Sequence, residues 1–315
     1  MQRRNFFGTF FAGLGTAASA KPPKAKTGDI PMRTLGRTGQ KLTCIGMGGA
    51  RFHLISLEDG VAVARRAYDL GINYFDMARS YADGHAEEVY GAATPPFRKN
   101  IFLPTQSGKR TRKEAEEELE LSLKLMKTDH VDLWQMHGVN RMRDVEQIFA
   151  PGGAIEAFEA AKKAGKCRFI GYSNCRDPEV HVAMLKHAER FDTALMPLHV
   201  ADTSYSGNPN MSFVKTALPA AIERGVGVFG IKVFGNAFLL RTFRAPDCLR
   251  YSHSLPGVTA CPLGFNTIGQ LEDDVRTAQN FKPLTEDEKN AFHARAGADK
   301  FDAIHGPALE YWKTR

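Results

Sequence analysis

The chain has 315 residues, 43% hydrophobic and 24% charged, a globular balance that excludes a collagen-like, coiled-coil or wholly disordered polypeptide. Its formal net charge is +7, from 42 Lys+Arg against 35 Asp+Glu, which bears on solubility and association before it bears on function. The length admits two ordinary domains or one large α/β barrel.

Residues 1–20 read as an export signal: the Arg3-Arg4 pair, a short glycine-diluted apolar run from Phe6, then Ala18-Ser19-Ala20 as a small-residue cleavage site. The run is too short for a membrane span, which needs about 20 mainly apolar residues. The paired arginines followed by Asn5-Phe6-Phe7 resemble the twin-arginine signal, which carries folded proteins out of the bacterial cytoplasm. The expected location is therefore periplasmic or otherwise exported, with the export machinery as a partner. Cleavage after Ala20 removes two basic side chains and no acid, so the positive excess shrinks. Residues 21–31, opening KPPKAKTGD, read as a Pro- and Lys-containing linker. No later basic and aromatic run suggests nucleic acid. Five cysteines, Cys44, Cys167, Cys175, Cys248 and Cys261, show neither C-x-x-C nor metal-ligand spacing. That pattern agrees with folding in a reducing compartment before export.

From residue 43 the pattern alternates strand and helix. Strands are expected over 43–47, 73–76, 101–105, 130–136, 168–172, 193–196, 227–231 and 258–261. Ser56 with Asp59 opens a helix that Gly71 closes, and Thr111 with Glu114 opens another with Ala115, Leu119, Leu123 and Met126 on one face. A further helix over 154–164 stops at Gly165, and Asp177-Pro178 caps the next. The strand runs are continuously apolar, as parallel strands buried on both faces should be. Eight βα units favour a closed (β/α)8 TIM barrel over two dinucleotide-binding halves. Gly46-Met47-Gly48-Gly49-Ala50-Arg51 also has arginine where the last glycine of that fold's fingerprint would stand. Residues 33–36 and 40–42 flank a Gly39 turn and predict an N-terminal β-hairpin closing the barrel bottom. One barrel domain is thus expected over 32–315.

Barrel chemistry sits at the C-terminal ends of the strands. Asp76, Tyr81, Gln106, His137, Ser173 and Asn174 fall there. Each alone is compatible with ordering a loop; the set points to a site.

The set, with GMGGA at 46–50, GINYFDMARSY at 71–81, Tyr90-Gly91, DHVDLWQMH at 129–137, FIGYSN at 169–174 and LPGVTACPLG at 255–264, resembles the aldo-keto reductase superfamily in order and spacing from about residue 32 to 280. The resemblance implies a (β/α)8 barrel and reversible hydride transfer between NAD or NADP and a small-molecule carbonyl or alcohol. It also implies catalytic roles for Asp76, Tyr81 and His137. Tyr81 would be the general acid and His137 would orient the carbonyl. The family's fourth member, a lysine, is replaced by Gln106, so the site lacks the cation that would lower the tyrosine pKa and pair with Asp76. Lys109 and Lys232 are the candidates to replace it.

For the cofactor, the resemblance implies that Ser173 and Asn174 hold the nicotinamide carboxamide and that Gly48 and Gly49 let the backbone approach. Lys232, Gly264 and Asn266 belong to the same set. Leu195 stands where the family commonly has a glutamine. Asp273 and Asp274 would repel a 2′-phosphate and could accept bonds from a free ribose hydroxyl, a weak tilt toward NAD. They could equally be a solvated helix face. Cys175 reads as a buried thiol. Phe52, Trp134, Tyr205, Phe234 and Phe238 could wall a substrate pocket or simply pack. The alternative to a reductase is a barrel that binds a ligand or cofactor, or acts as a lyase or isomerase, because Gln106 replaces the lysine.

Overall fold

The computed structural model describes residues 29–202 and 210–298; the expected signal and most of the linker lie outside them, as does Tyr205. Among the described residues there are ten strands: β1 Met32–Thr34, β2 Lys41–Thr43, β3 Ile45–Gly48, β4 Phe75–Asp76, β5 Pro104–Ser107, β6 Val131–Met136, β7 Cys167–Ser173, β8 Thr193–Pro197, β9 Gly227–Ile231 and β10 Val258–Gly264. β1 and β2 form the antiparallel hairpin. The other eight form one parallel sheet in the order β4-β3-β10-β9-β8-β7-β6-β5. A parallel bridge between Tyr74 and Phe102 joins its two ends, with Phe75 N donating to Phe102 O at 3.0 Å and Phe102 N to Asn73 O at 2.6 Å. Eight parallel strands with intervening helices make the (β/α)8 barrel.

The helices form where the sequence places their caps. Ser56 Oγ accepts from Asp59 N at 3.1 Å at the start of Leu57–Asp69, and the chain leaves through Gly71 at φ 95°, a conformation glycine adopts without a Cβ clash. Asp177 caps Pro178–Met184 through Glu179 N at 2.9 Å. Arg112–Met126 begins differently from expectation. The Thr111 hydroxyl donates to the Glu114 carboxylate at 2.5 Å and does not cap a backbone N–H.

Side chains fill the barrel interior, with Leu42, Tyr74, Phe102, Leu133, Leu195, Phe229 and Ala260 in contact and Leu35 rising from the hairpin. Tyr74 stacks on Phe229 at 4.6 Å. Gly227 permits the plug: a Cβ there would come 2.6 Å from Leu35 Cδ1. A second, larger cluster fills the space between strands and helices.

Most strand boundaries shift by a residue or more from the sequence reading, and three of the shifts are instructive. The first run is split: Cys44, whose N bonds Pro31 O at 2.8 Å, separates hairpin strand β2 from barrel strand β3. The third strand starts later, because Leu103 N donates to the Asp132 carboxylate at 2.9 Å instead of to a strand. The eighth runs on to Gly264, in register with β3 up to the Gly264–Gly48 pair.

Candidate active site

Asp76 ends β4 and is 4% exposed. Its Oδ1 accepts from the Tyr74 hydroxyl at 3.2 Å and from Gln106 Nε2 at 3.5 Å. Burial pushes its carboxyl up to about 7, against the pull of those two hydrogen bonds. Two nearby cations are engaged elsewhere. The Lys109 ammonium lies 4.0 Å from the Glu114 carboxylate on the surface, and Arg79 faces buried Glu87 at 3.7 Å.

Tyr81 follows on a loop tied down at several points. Arg79 N donates to Gln106 O at 3.0 Å, and Glu87 also accepts from Thr105 Oγ1 at 2.8 Å. Beyond Tyr81 the chain turns through three left-handed residues, Ala82, Asp83 and Gly84, at φ 50°, 53° and 100°. The Arg79 guanidinium lies where a Gly84 side chain would be. Burial, then the charges of Asp76 and Cys175, keep the Tyr81 phenol well above its ordinary pKa, so it is a protonated donor at neutral pH.

His137, just past β6, meets Tyr81 edge to face with ring centroids 5.6 Å apart. Its Nδ1 lies 3.0 Å from Ser80 Oγ, so a hydroxyl donating there leaves the proton on Nε2. Arg110 fixes the backbone beneath it, donating to His137 O and Gly138 O, both at 2.9 Å. Burial, then Arg110 and Lys232, depress the imidazole to about 4, and the ring is neutral at physiological pH.

Gln106 lies inside the barrel, 1% exposed, between two of the expected site residues. Its Nε2 reaches Asp76, and its Oε1 accepts from Ser173 Oγ at 2.9 Å. Gly138 N donates to the same serine oxygen at 3.0 Å. Beside it in register stands Gln135, fully buried, with neither amide atom bonded among the described residues.

Most of the cofactor candidates lie along or just past β3 and β10 and in the following helix, Ile268–Gln279. Gly48 and Gly264 are register partners, and Gly49 packs near Ala86 and Met77. A Cβ on Gly264 would meet Arg51 Cγ at 2.2 Å, so the exposed Arg51 side chain lies across this strand end. Asn266 Oδ1 is buried without a partner among the described residues, an acceptor a bound hydroxyl or amide could satisfy. The two acids of the helix differ: Asp273 pairs with Arg276, whereas burial, then Asp273, push Asp274 up to about 7. Lys232, at φ 57° after β9, acts electrostatically on His137 and Cys175. Asn174 spends its amide in its own turn: Nδ2 donates to Asp177 O at 2.6 Å, and Oδ1 accepts from Arg176 N at 2.7 Å and Asp177 N at 3.2 Å. The set fits a nicotinamide dinucleotide at Ser173, Gly48, Gly264 and Asn266, with Arg51 as a cation for its phosphates. Asn174 keeps one Nδ2 hydrogen to offer a cofactor, its Oδ1 being taken by the turn.

Two of the expected pocket walls are packing residues. Trp134 stacks on Phe158 at 3.6 Å, outside the strands, and Phe52 is fully buried against Tyr90. Phe234 and Phe238 are partly buried against the core. Burial raises the Cys175 thiol pKa, which leaves it a poor nucleophile. The sequence reading missed Ser80, Arg51, Arg110 and Tyr74. Ser80 and Arg51 had a signal, being polar residues within the two motif segments; Tyr74 and Arg110 gain meaning only from contacts across the barrel.

Residues 44–278 match the family model described as "Aldo/keto reductase family". The chain belongs to the aldo/keto reductase family. Among relatives, it is 26% identical to the uncharacterized oxidoreductase YqkF of Bacillus subtilis, over 89% of this chain and 98% of that protein. It is 31% identical to L-galactose dehydrogenase of Arabidopsis thaliana over 45% of this chain and 48% of that one. In structure, this aldo/keto reductase is similar to AKR11C1 from Bacillus halodurans in its holo form, with a TM-score of 0.71 at 21% identity, covering 84% of this chain and 96% of that chain. Family members are oxidoreductases that generally use NAD(P)H.

Proposed function

We propose that this aldo/keto reductase transfers hydride between a nicotinamide cofactor and a small carbonyl or alcohol at the mouth formed by Asp76, Tyr81 and His137. The observation that carries the reading is their convergence: a protonated phenol and a neutral imidazole edge to face at 5.6 Å, above a buried carboxyl at the C-terminal strand ends. A bound nicotinamide would supply or accept the hydride. Tyr81 holds the proton the carbonyl oxygen needs, and His137, with Nδ1 occupied by Ser80, offers Nε2–H to the same oxygen. With Gln106 in place of a cation, the phenolate left by proton transfer is poorly stabilised, which sets a slow chemical step. Ser173, Gly48, Gly264, Asn266 and Arg51 would hold the cofactor, and Asp274 favours a free ribose hydroxyl over a 2′-phosphate.

Titration of the purified protein with NADH and with NADPH, followed by fluorescence, and turnover of an aldehyde and ketone panel test this reading. Binding of either nucleotide with oxidation in the presence of a carbonyl supports it; neither binding nor turnover overturns it.

The contact of Asp76 with a neutral amide, Gln106 Nε2 at 3.5 Å, favours a second reading. In it the barrel retains a ligand or cofactor without net redox, or performs lyase or isomerase chemistry with Asp76, Tyr81 and His137. Binding without turnover of any carbonyl or alcohol would favour it.

For residues 1–20 we propose export by the twin-arginine route after cytoplasmic folding, so that the cofactor is acquired before translocation and retained tightly. Export that persists unchanged when Arg3 and Arg4 are both replaced by lysine counts against that route.

A further inference from the structure

The Arg79 side chain spans the base of the loop that carries Tyr81. It is 18% exposed, and its guanidinium occupies the place a Gly84 side chain would take. Nη1 lies 3.7 Å from Glu87 Oε2. Glu87 is a fixed point: it is fully buried in the helix His85–Ala93, and the Tyr90 hydroxyl of that helix donates to Met47 O at 2.8 Å. Both ends of the loop are also tied to adjacent residues of β5, since Arg79 N donates to Gln106 O at 3.0 Å and Thr105 Oγ1 donates to Glu87 Oε1 at 2.8 Å.

The turn inside the loop does not hold itself. Ala82 at φ 50°, ψ 43° and Asp83 at φ 53°, ψ 29° are left-handed, a backbone that a Cβ disfavours, and such residues persist only where their surroundings impose the conformation. The guanidinium against Gly84 is one such surrounding. Gly84, at φ 100°, has no Cβ to push it away. Its attachment is electrostatic: Arg79 Nη1 and Glu87 Oε2 are buried without a hydrogen-bond partner among the described residues, so each charge is compensated by the other across 3.7 Å. Burial raises the Glu87 carboxyl, against the pull of hydrogen bonds from Ser122 and Thr105 and of the Arg79 charge. The two residues after Arg79 do the work at the mouth. Ser80 Oγ reaches His137 Nδ1 at 3.0 Å, and Tyr81 meets the same ring edge to face.

We propose that Arg79 is a positioning residue: its guanidinium, held by Glu87, braces the left-handed turn at Ala82, Asp83 and Gly84 and so fixes Ser80 and Tyr81 against His137. The effect on turnover rests on the reading of Tyr81 and His137 as donors to a carbonyl oxygen; the bracing itself does not. Breaking the pair at either end has the same result. Arg79→Met removes the cation, and Glu87→Gln leaves a buried cation uncompensated, which drives the guanidinium out from under Gly84.

The test has two arms, run on wild type, Arg79→Met, Glu87→Gln, the double variant and Arg79→Lys, with circular dichroism as the check on folding. In the first, Arg79→Met and Glu87→Gln should each lower kcat for carbonyl reduction by about tenfold or more, the cost of a misplaced donor. KM and the dissociation constants of NADH and NADPH should stay within about twofold. The double variant should be no worse than Arg79→Met, because the two residues act as one unit. Arg79→Lys, which keeps the charge but not the planar fork, should recover part of the loss. In the second arm, nitrogen-15 NMR of the His137 ring in the cofactor-free protein should show one Nε2-protonated tautomer in the wild type and a mixture in Arg79→Met and Glu87→Gln, where Ser80 has lost its place. A wild-type tautomer with unchanged kcat in both folded single variants overturns the brace. So do losses that add in the double variant, or nucleotide affinity that falls in step with kcat, which would assign the pair to general stability. A wild type that neither binds nucleotide nor turns over a carbonyl overturns the reductase reading instead, and the tautomer arm then decides the brace alone.

Discussion

Ser80 Oγ lies 3.0 Å from His137 Nδ1, and that contact selects which face of the imidazole can work. Without the hydroxyl, the neutral ring is free to place its proton on either nitrogen, and part of the population loses its Nε2 donor. Ser80→Ala should lower kcat about three- to tenfold with KM little changed, as for an interaction made mainly in the transition state. Ser80→Thr, which restores the hydroxyl, should recover much of the loss. Steady-state kinetics on the best carbonyl substrate decide it; a rise in KM at constant kcat would assign Ser80 to ground-state binding instead.

Asp76 carries a stability cost that depends on pH. Its carboxyl is raised in the fold to about 7, against an ordinary value near 4 in the unfolded chain. The unfolded state therefore releases the proton first. The cost is absent below about pH 4 and reaches its full size as pH rises through 7. Asp76→Asn, which cannot ionise, should melt higher than the wild type at pH 8, by up to about 4 kcal/mol in stability, and nearly the same at pH 4. Thermal unfolding across that range tests the sign. An equal Tm difference at both ends would show that ionisation of Asp76 is not its origin.

Gln106→Lys returns a cation to the interior. An ammonium within reach of Asp76 should pull the carboxyl back down, hold it ionised at neutral pH, and stabilise the phenolate of Tyr81. Carbonyl reduction is expected to rise by about tenfold or more, within the range general acid catalysis contributes. An unchanged rate in the folded variant would mean that the charge at position 106 does not limit turnover.

Asp274 is the inward member of the acidic pair, with its carboxyl raised by burial and by Asp273. Replacing it with serine should improve NADPH affinity relative to NADH by about fivefold, since one like-charge contact with a 2′-phosphate is removed. Asp273→Ser, which breaks only the pair with Arg276, should move the ratio much less. Paired titrations with the two nucleotides read this directly, and equal effects of the two variants would remove Asp274 from cofactor selection.

The strand and helix order was legible because most barrel strands are apolar runs and helices such as Leu57–Asp69 and Pro178–Met184 open on a readable cap. Boundaries slipped where a side chain took over a backbone partner, as Asp132 does for Leu103, since such long-range substitutions leave no local pattern. Within the site, the motif segments located Asp76, Tyr81 and His137. The sequence could mark Gln106 as a missing charge but not as a bridge, because its partners lie 30 and 67 residues away. Asn174 reads as a ligand-facing amide, and the sequence does not show that its Oδ1 is already taken by a turn with Arg176 and Asp177. Trp134 shows the limit of strand-end reasoning: one residue of register decides whether a ring faces the interior or the helices.

The plug at the bottom of the barrel also imposes an order in time. Arg33 of the hairpin donates to Val258 O at 2.7 Å and His253 O at 2.8 Å, and Thr259 Oγ1 donates to Thr34 O at 3.2 Å. The first strands to leave the ribosome are therefore sealed only by the last barrel strand to be made. Until residue 264 has emerged, β3 lacks its β10 neighbour and Leu35 lacks a finished floor to close. Completion of the barrel is a length measurement on the nascent chain, and a truncated product keeps an unpaired strand edge that marks it as unfinished.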